Sequence, residues 1–151
     1  NRLLCVESAN DMFVTVFYGI LDIRTGELRY CNAGHNPPLL IREGQTEAEQ
    51  LPLTGDCILG AIPEAAFHEK GLRLAPGDSL LCYTDGLTEA RNEAGDFYGM
   101  ARLLKCCREE GAGLFPQERI QELGASVAAF AGKAKPSDDI TLLSILFRGE
   151  S

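Results

Sequence analysis

No stretch of this sequence approaches the roughly 20 consecutive apolar residues that a membrane-spanning helix requires. The opening NRLLCVESAND also lacks the layout of a signal peptide. These two absences predict a cytoplasmic chain. A cationic excess is missing too: 14 Lys and Arg stand against 22 Asp and Glu, a net charge of −8 with a pI near 4.7, which argues against an electrostatic grip on nucleic acid or anionic lipid. There is no Gly-rich phosphate loop followed by Lys-Ser or Lys-Thr, and no cysteine stands in a phosphate-cradling loop. Internal repeats, low-complexity tracts and a linker are absent as well, which predicts a single domain over 1–151.

The 151 residues are enough for a core, and 45% apolar with 24% charged residues is ordinary for a globular protein. Six cysteines are present at 5, 31, 57, 82, 106 and 107, none in a CxxC pair and several inside apolar runs. They read as buried free thiols in a reducing compartment. The vicinal Cys106-Cys107 pair reads as a packed Cys107 beside an exposed neighbour.

Punctuation divides the chain. Met12 to Leu21 is so continuously apolar that it predicts a buried strand. The turn Arg24-Thr25-Gly26-Glu27 reverses it into a second strand, Leu28 to Asn32. Gly34-His35-Asn36-Pro37-Pro38 breaks regular structure before a short strand from Leu39 to Arg42, and the polar run Gly44 to Gln50 predicts a mobile loop. Turns and short extended pieces follow from Leu51 to Ile62. Phe67 to Leu74 alternates loosely, and Ala75-Pro76-Gly77-Asp78 turns the chain into a strand from Ser79 to Thr84. After Gly99 the period changes. Met100, Leu103, Leu104 and Cys107 recur at helical spacing until Gly111, and Pro116 opens a second helix with Ile120, Leu123, Val127 and Phe130 on its apolar face, ending near Gly132. A last strand runs from Ile140 to Phe147. This order predicts an α+β architecture, a mostly antiparallel sheet with helices on one face.

Two acidic corners carry the chemistry. Asp85-Gly86 closes the run SLLCYT, and Asp138-Asp139 opens the run ITLLSILF, with no Lys or Arg adjacent to either. Paired in one sheet, these runs bring three carboxylates together, and hard divalent ions such as Mg²⁺ or Mn²⁺ are held by such oxygens, often by one or two protein ligands plus waters. Taken singly, Asp85-Gly86 is an ordinary turn and Asp138-Asp139 a solvated strand start. His68, in a strand-like run, reads as structural.

The strings MFVTVFYGILDIRTGELRYCNAGHNPPLL, LAPGDSLLCYTDGLTEARN and PSDDITLL, in this order with two helices between the last pair, resemble the carboxy-terminal two-thirds of the bacterial SpoIIE/RsbU-type protein serine phosphatases, a branch of the metal-dependent PP2C superfamily. The resemblance implies a PP2C-like antiparallel β-sandwich flanked by helices, here without its amino-terminal part, and a site for two Mn²⁺ or Mg²⁺ ions at one edge. It also implies a phosphoserine or phosphothreonine substrate on an anti-sigma factor antagonist of the STAS type, hence a place in sigma factor regulation, and an upstream sensor or receiver domain in the parent chain. Asp85 matches the metal-bridging or second-metal aspartate, and Asp138 the aspartate of the closing motif. Asp139 stands where the superfamily usually carries Asn. Gly86 lets the backbone turn beside the metal, and Asn32, Gly34, His35 and Asn36 shape the site or its substrate surface. Glu89, Arg91 and Asn92 line a flap or polar surface.

The Gly-Asp-x-Ser-Gly motif that supplies the family's first metal ligand does not occur, and NRLL resembles the end of the helix that follows it. The expected domain is therefore incomplete, with metal binding and activity of this piece alone in question. A non-catalytic PP2C-like interaction module is the alternative reading. Sheet edges left unpaired in a partial fold also predict association, for example as a homodimer.

Overall fold

The computed structural model describes residues 1–7, 13–110 and 115–149, apart from the side chains of Glu109 and Glu110. Its elements in chain order are α1 (Arg2–Glu7), β1 (Val16–Leu21), β2 (Glu27–Ala33), β3 (Leu39–Ile41), β4 (Ala48–Gln50), β5 (Lys70–Arg73), β6 (Ser79–Tyr83), α2 (Asp85–Thr88), α3 (Gly99–Glu110), α4 (Pro116–Ala131) and β7 (Leu142–Leu146). All strand pairs are antiparallel, in two sheets ordered β1-β2-β5 and β4-β3-β6-β7.

The second sheet is the middle layer, and its alternation explains why. Leu39, Ile41, Leu81 and Tyr83 point one way into a core with Leu87, Leu103, Cys107, Leu123 and Val127 from the helices. Leu40 and Leu80 point the other way and pack with Leu28, Tyr30, Leu74 and Phe147 between the sheets. With side chains alternating along each strand, both faces of β3 and β6 are buried, which is why LLI and SLLCY read as unbroken apolar runs. The architecture is α+β.

The helices follow their sequence signals. Leu103 and Cys107 of α3 and Leu123 and Val127 of α4 are buried on the expected faces. Pro116 opens α4, the Phe115 N–H donates to Oε2 of Glu118 at 2.9 Å, and Gly132 closes the helix with φ at 59°. Gly111, the expected stop of α3, lies outside the described residues.

Three expectations are corrected. The strand predicted over 12–21 starts at Val16 and is not buried: Tyr18 and Ile20 are 62% and 53% exposed. It is an edge strand with one face inward, so Phe17 and Leu21 pack on the core while their alternate neighbours face solvent; Met12 lies outside the described residues. The polar run 44–50 ends in β4, whose backbone pairs with β3 although its side chains bury little. Of the six thiols, only Cys107 is fully buried and the other five are half-buried.

At the end of the sandwich where β6 begins, Asp78 is 2% exposed and takes three donors: Arg42 Nη1 at 2.6 Å, the Ala75 N–H at 2.8 Å and the Glu43 N–H at 2.9 Å. Burial alone would raise its carboxyl pKa, but these donors outweigh it and hold the group below the ordinary carboxylate range. The Ala-Pro-Gly-Asp turn is thus a knot tying β3 and β5 to β6. No helix is long and apolar enough to cross a membrane among the described residues.

Candidate functional site

The other end of β6 holds the acidic corners. Register pairs Tyr83 with Leu142, so the chain leaving β6 and the chain entering β7 lie side by side. The Thr84 N–H donates to the Thr141 carbonyl at 3.1 Å, the Thr84 hydroxyl donates to the Asp139 carbonyl at 3.1 Å, and the Thr141 N–H donates to that hydroxyl at 3.0 Å. Thr84 is thus a clasp across the two strand ends. Asp85 follows as the first residue of α2.

Gly86 completes the junction. A Cβ at this position would land on the Asp139 carbonyl oxygen, inside the 3.0 Å that real Cβ atoms keep, with the carbonyl carbons of Asp139 and Asp138 at 3.0 and 3.5 Å. The glycine is required for close approach between two backbones. Both carboxylates are oriented locally: Oδ1 of Asp85 accepts the Gly86 N–H at 3.0 Å, and Oδ1 of Asp138 accepts the Asp139 N–H at 2.7 Å. Asp85, Asp138 and Asp139 are all solvent-exposed, and none pairs with Lys or Arg among the described residues. One carboxylate oxygen of Asp85 and one of Asp138 are left for a ligand.

Hard, uncompensated oxygen donors on fixed backbone fit a divalent cation in kind. In number they fit only part of a site. Among the described residues no group of three or more His, Cys, Asp or Glu converges on a common metal position, so the three aspartates do not close a coordination shell by themselves.

The loop 34–38 enters β3 opposite the end of β6, since Leu39 pairs with Leu81, and so reaches the same end of the second sheet as Asp85. Asn32, 3% exposed, shapes it: its Oδ1 accepts the His35 N–H at 2.8 Å and its Nδ2 donates to the His35 carbonyl at 2.9 Å. His35 Nδ1 lies 3.2 Å from the Thr15 hydroxyl, and Asn36 is half-buried beside it.

A second cluster escaped the sequence reading. The Asp56 side chain is fully buried and receives the His68 N–H at 3.0 Å, while His68 Nδ1 lies 2.7 Å away and Cys31 Sγ 3.2 Å away. Burial works to raise the Asp56 pKa, yet the hydrogen bonds from Thr54, His68 and Cys31 win, and the carboxyl is held far below its usual range. Burial, with the Asp56 charge beside it, pushes the Cys31 thiol up. Asp56 pins the 51–69 segment to the end of β2, where Thr54 Oγ1 also accepts the Asn32 N–H at 3.0 Å. Only the string Thr-Gly-Asp hinted at a structured turn there; the partner residues are 25 and 12 positions away.

The family model for stage II sporulation protein E (SpoIIE) matches residues 1–148. The chain belongs to the SpoIIE family. Protein IcfG of Synechocystis is 33% identical over 140 residues, 89% of this chain and 20% of that protein. Phosphoserine phosphatase RsbU of Bacillus subtilis is 27% identical over 95 residues, 63% of this chain and 28% of that protein. In three dimensions the chain is similar to the PP2C phosphatase domain of SpoIIE from Bacillus subtilis, solved with a fragment of its regulatory domain. The TM-score is 0.72 at 20% identity, covering 99% of this chain and 42% of that one. That likeness fixes the fold of this SpoIIE-family chain as PP2C-like. The chain spans about a fifth to two-fifths of these relatives.

Proposed function

We propose that this chain contributes to the active site of a metal-dependent protein serine/threonine phosphatase acting on a phosphorylated regulatory protein. The observation that carries the reading is the clasp at Thr84 and Gly86, which holds the backbone of Asp85 against that of Asp138 and Asp139 at one edge of a PP2C-like sandwich. Asp85 and Asp138 would hold Mn²⁺ or Mg²⁺ by the carboxylate oxygens that the neighbouring amides leave free, and Asp139 is the third candidate. When bound, such ions lower the pKa of a water and offset charge on phosphoryl oxygens. The chain's own part is orientation. Thr84 fixes the separation of the two backbones, Gly86 permits it, and His35 and Asn36 flank the same end of the sheet.

By similarity to RsbU, the substrate class is a phosphoserine or phosphothreonine protein of the anti-sigma factor antagonist type, and the setting is cytoplasmic signalling. Residues 1–151 form one part of a larger phosphatase domain in this reading, joined in the parent protein to a sensor or receiver domain. The test is Mn²⁺-stimulated phosphate release by the intact protein. Asp85→Asn and Asp138→Asn should each lower it by about 100-fold or more, because the metal term is worth several kcal/mol. Full activity in either variant rejects the assignment.

The absence of a three-ligand cluster among the described residues favours a second reading, a non-catalytic interaction module. Calorimetry with Mn²⁺ separates the two: the module takes up no metal even within the longer protein.

A further inference from the structure

A groove of about 640 Å³ opens beside the acidic corner, between α4 and the chain entering β7. It is continuous with that corner, for Gly86, Asp138 and Thr141 line both. Ile120, Val127, Ile140 and Leu142 make the floor apolar, and Gly124 and Ala128 of α4 keep it open. Two cations border it. Arg91 is fixed, its guanidinium stacked 4.2 Å above the Phe97 ring with Nη1 donating to the Gly95 carbonyl at 3.3 Å. Lys135 is exposed, and its ammonium has no hydrogen-bond or ion-pair partner among the described residues.

We propose that this groove is the docking subsite for the polypeptide flanking the phosphorylated residue, and that it selects an apolar side chain for its floor and an acidic one for Lys135 and Arg91. The proposal rests on the phosphatase reading above, since the groove's meaning comes from its shared wall with Asp138. Three features point to this occupant. A phosphate held at Asp85 and Asp138 puts its own flanking residues at the mouth of the groove. The floor offers an apolar contact of the kind that anchors peptides, with polar residues only around it. And two cations on the rim of a chain carrying net charge −8 select acidic side chains by charge complementarity, while the aspartates beside them turn away acidic segments that bring no metal-bound phosphate.

Binding and turnover are read separately. A fluorescein-labelled phosphoserine peptide with a leucine and two glutamates within four residues of the phosphate is titrated with the Mn²⁺-loaded protein, alongside a peptide with alanine flanks. Ala128→Trp fills the groove from the exposed face of α4, and Lys135→Glu reverses the free cation; circular dichroism confirms that both fold. Each should weaken the acidic, leucine-bearing peptide about tenfold and the alanine peptide less than twofold. Arg24→Glu, in the β1–β2 turn, should change neither. In turnover, the same two variants should raise KM for the first peptide about tenfold and leave hydrolysis of p-nitrophenyl phosphate unchanged. Unchanged peptide affinity in both variants overturns the docking subsite even where the small ester is hydrolysed. Lost peptide affinity with no hydrolysis of any ester by the intact protein supports the subsite and rejects the phosphatase. A longer form of the protein that no longer binds the peptide also overturns it, and assigns the groove to a segment of its own chain.

Discussion

The junction between the two strand ends predicts a sign reversal between two chemically identical substitutions, Gly86→Ala and Gly124→Ala. At Gly124, in the middle of α4, an added Cβ meets nothing within 4 Å and the backbone is helical, so alanine should stabilise by up to about 1 kcal/mol through helix propensity. At Gly86 the same methyl group meets the Asp139 carbonyl oxygen inside 3.0 Å and its carbon at 3.0 Å, where ordinary contact begins at 3.4 Å. Neither atom belongs to a flexible side chain. The backbone of 138–139 must therefore move by several tenths of an ångström, against the hydrogen bonds Thr84 makes to Asp139 and Thr141. Overpacking of this kind costs about 1–3 kcal/mol. The helix-propensity gain offsets part of it, leaving about 1–2 kcal/mol of destabilisation.

For a chain of 151 residues each kcal/mol moves Tm by about 2–4 °C. Gly86→Ala should therefore melt about 2–8 °C below the parent, and Gly124→Ala up to about 4 °C above it, in calorimetric scans at neutral pH. A Gly86→Ala protein that melts with or above the parent would mean that the acidic corners are not in contact as described. The argument for a shared metal edge would then lose its geometric basis.

Other outcomes follow from the same contacts. Thr84→Val keeps the shape of the side chain but removes the hydroxyl from Asp139 and Thr141, and should cost about 1 kcal/mol in urea unfolding. Asp78→Ala leaves the N–H groups of Glu43 and Ala75 without an acceptor in a buried turn, and a loss of about 3 kcal/mol is expected; a loss under 1 kcal/mol would show that the knot does not hold β6. Leu81→Ala or Leu103→Ala, both 0% exposed, should each cost about 2–5 kcal/mol in the same assay. Asp56 and Asp78 both titrate below the ordinary carboxylate value near 4 when folded, so the stability they contribute is complete above that value and is lost as pH falls through their depressed values. Urea midpoints of the parent should fall steeply between about pH 4 and pH 2, and the Asp56→Asn, Asp78→Asn double variant should show a shallower decline; equal slopes would contradict the pairing.

What could be read from the sequence, and what could not, divides along physical lines. Periodicity exposed the helices, because Leu103, Cys107, Leu123 and Val127 each recur where one helical face must be buried. Turn chemistry exposed the β1–β2 hairpin, where Gly26 takes φ of 75°, and the Ala-Pro-Gly-Asp reversal, where Gly77 takes φ of 93°. Continuous apolarity, by contrast, was ambiguous. It meant burial on two faces in SLLCY, which lies between β3 and β7, but an edge position in VFYGIL, because adjacency in a sheet is decided by residues far away in the chain. The short strand β4 was hidden for the opposite reason: it holds its place by backbone pairing to β3, and pairing of that kind leaves no mark on side-chain composition.

The site shows the same division. Asp85-Gly86 and Asp138-Asp139 were visible as residue types at strand ends, but nothing in either string says that one glycine must lie against the other string's carbonyl. That contact is a property of the β6–β7 register alone. The Asp56 cluster could not be read as a cluster, since Cys31, Asp56 and His68 come from β2, a coil and the approach to β5, and the Thr-Gly-Asp string marks a turn without its partners. A carboxylate that is fully buried yet ionised in an otherwise half-exposed coil has one physical purpose open to it here. It holds the 51–69 segment through the hydrogen bonds it accepts from His68 and Cys31, and Thr54 of that segment accepts from Asn32, which in turn holds the loop carrying His35. Asp56→Asn should therefore loosen His35 as well as His68. Measured by the imidazole resonances of both residues, a change confined to His68 would show that the two loops are held independently.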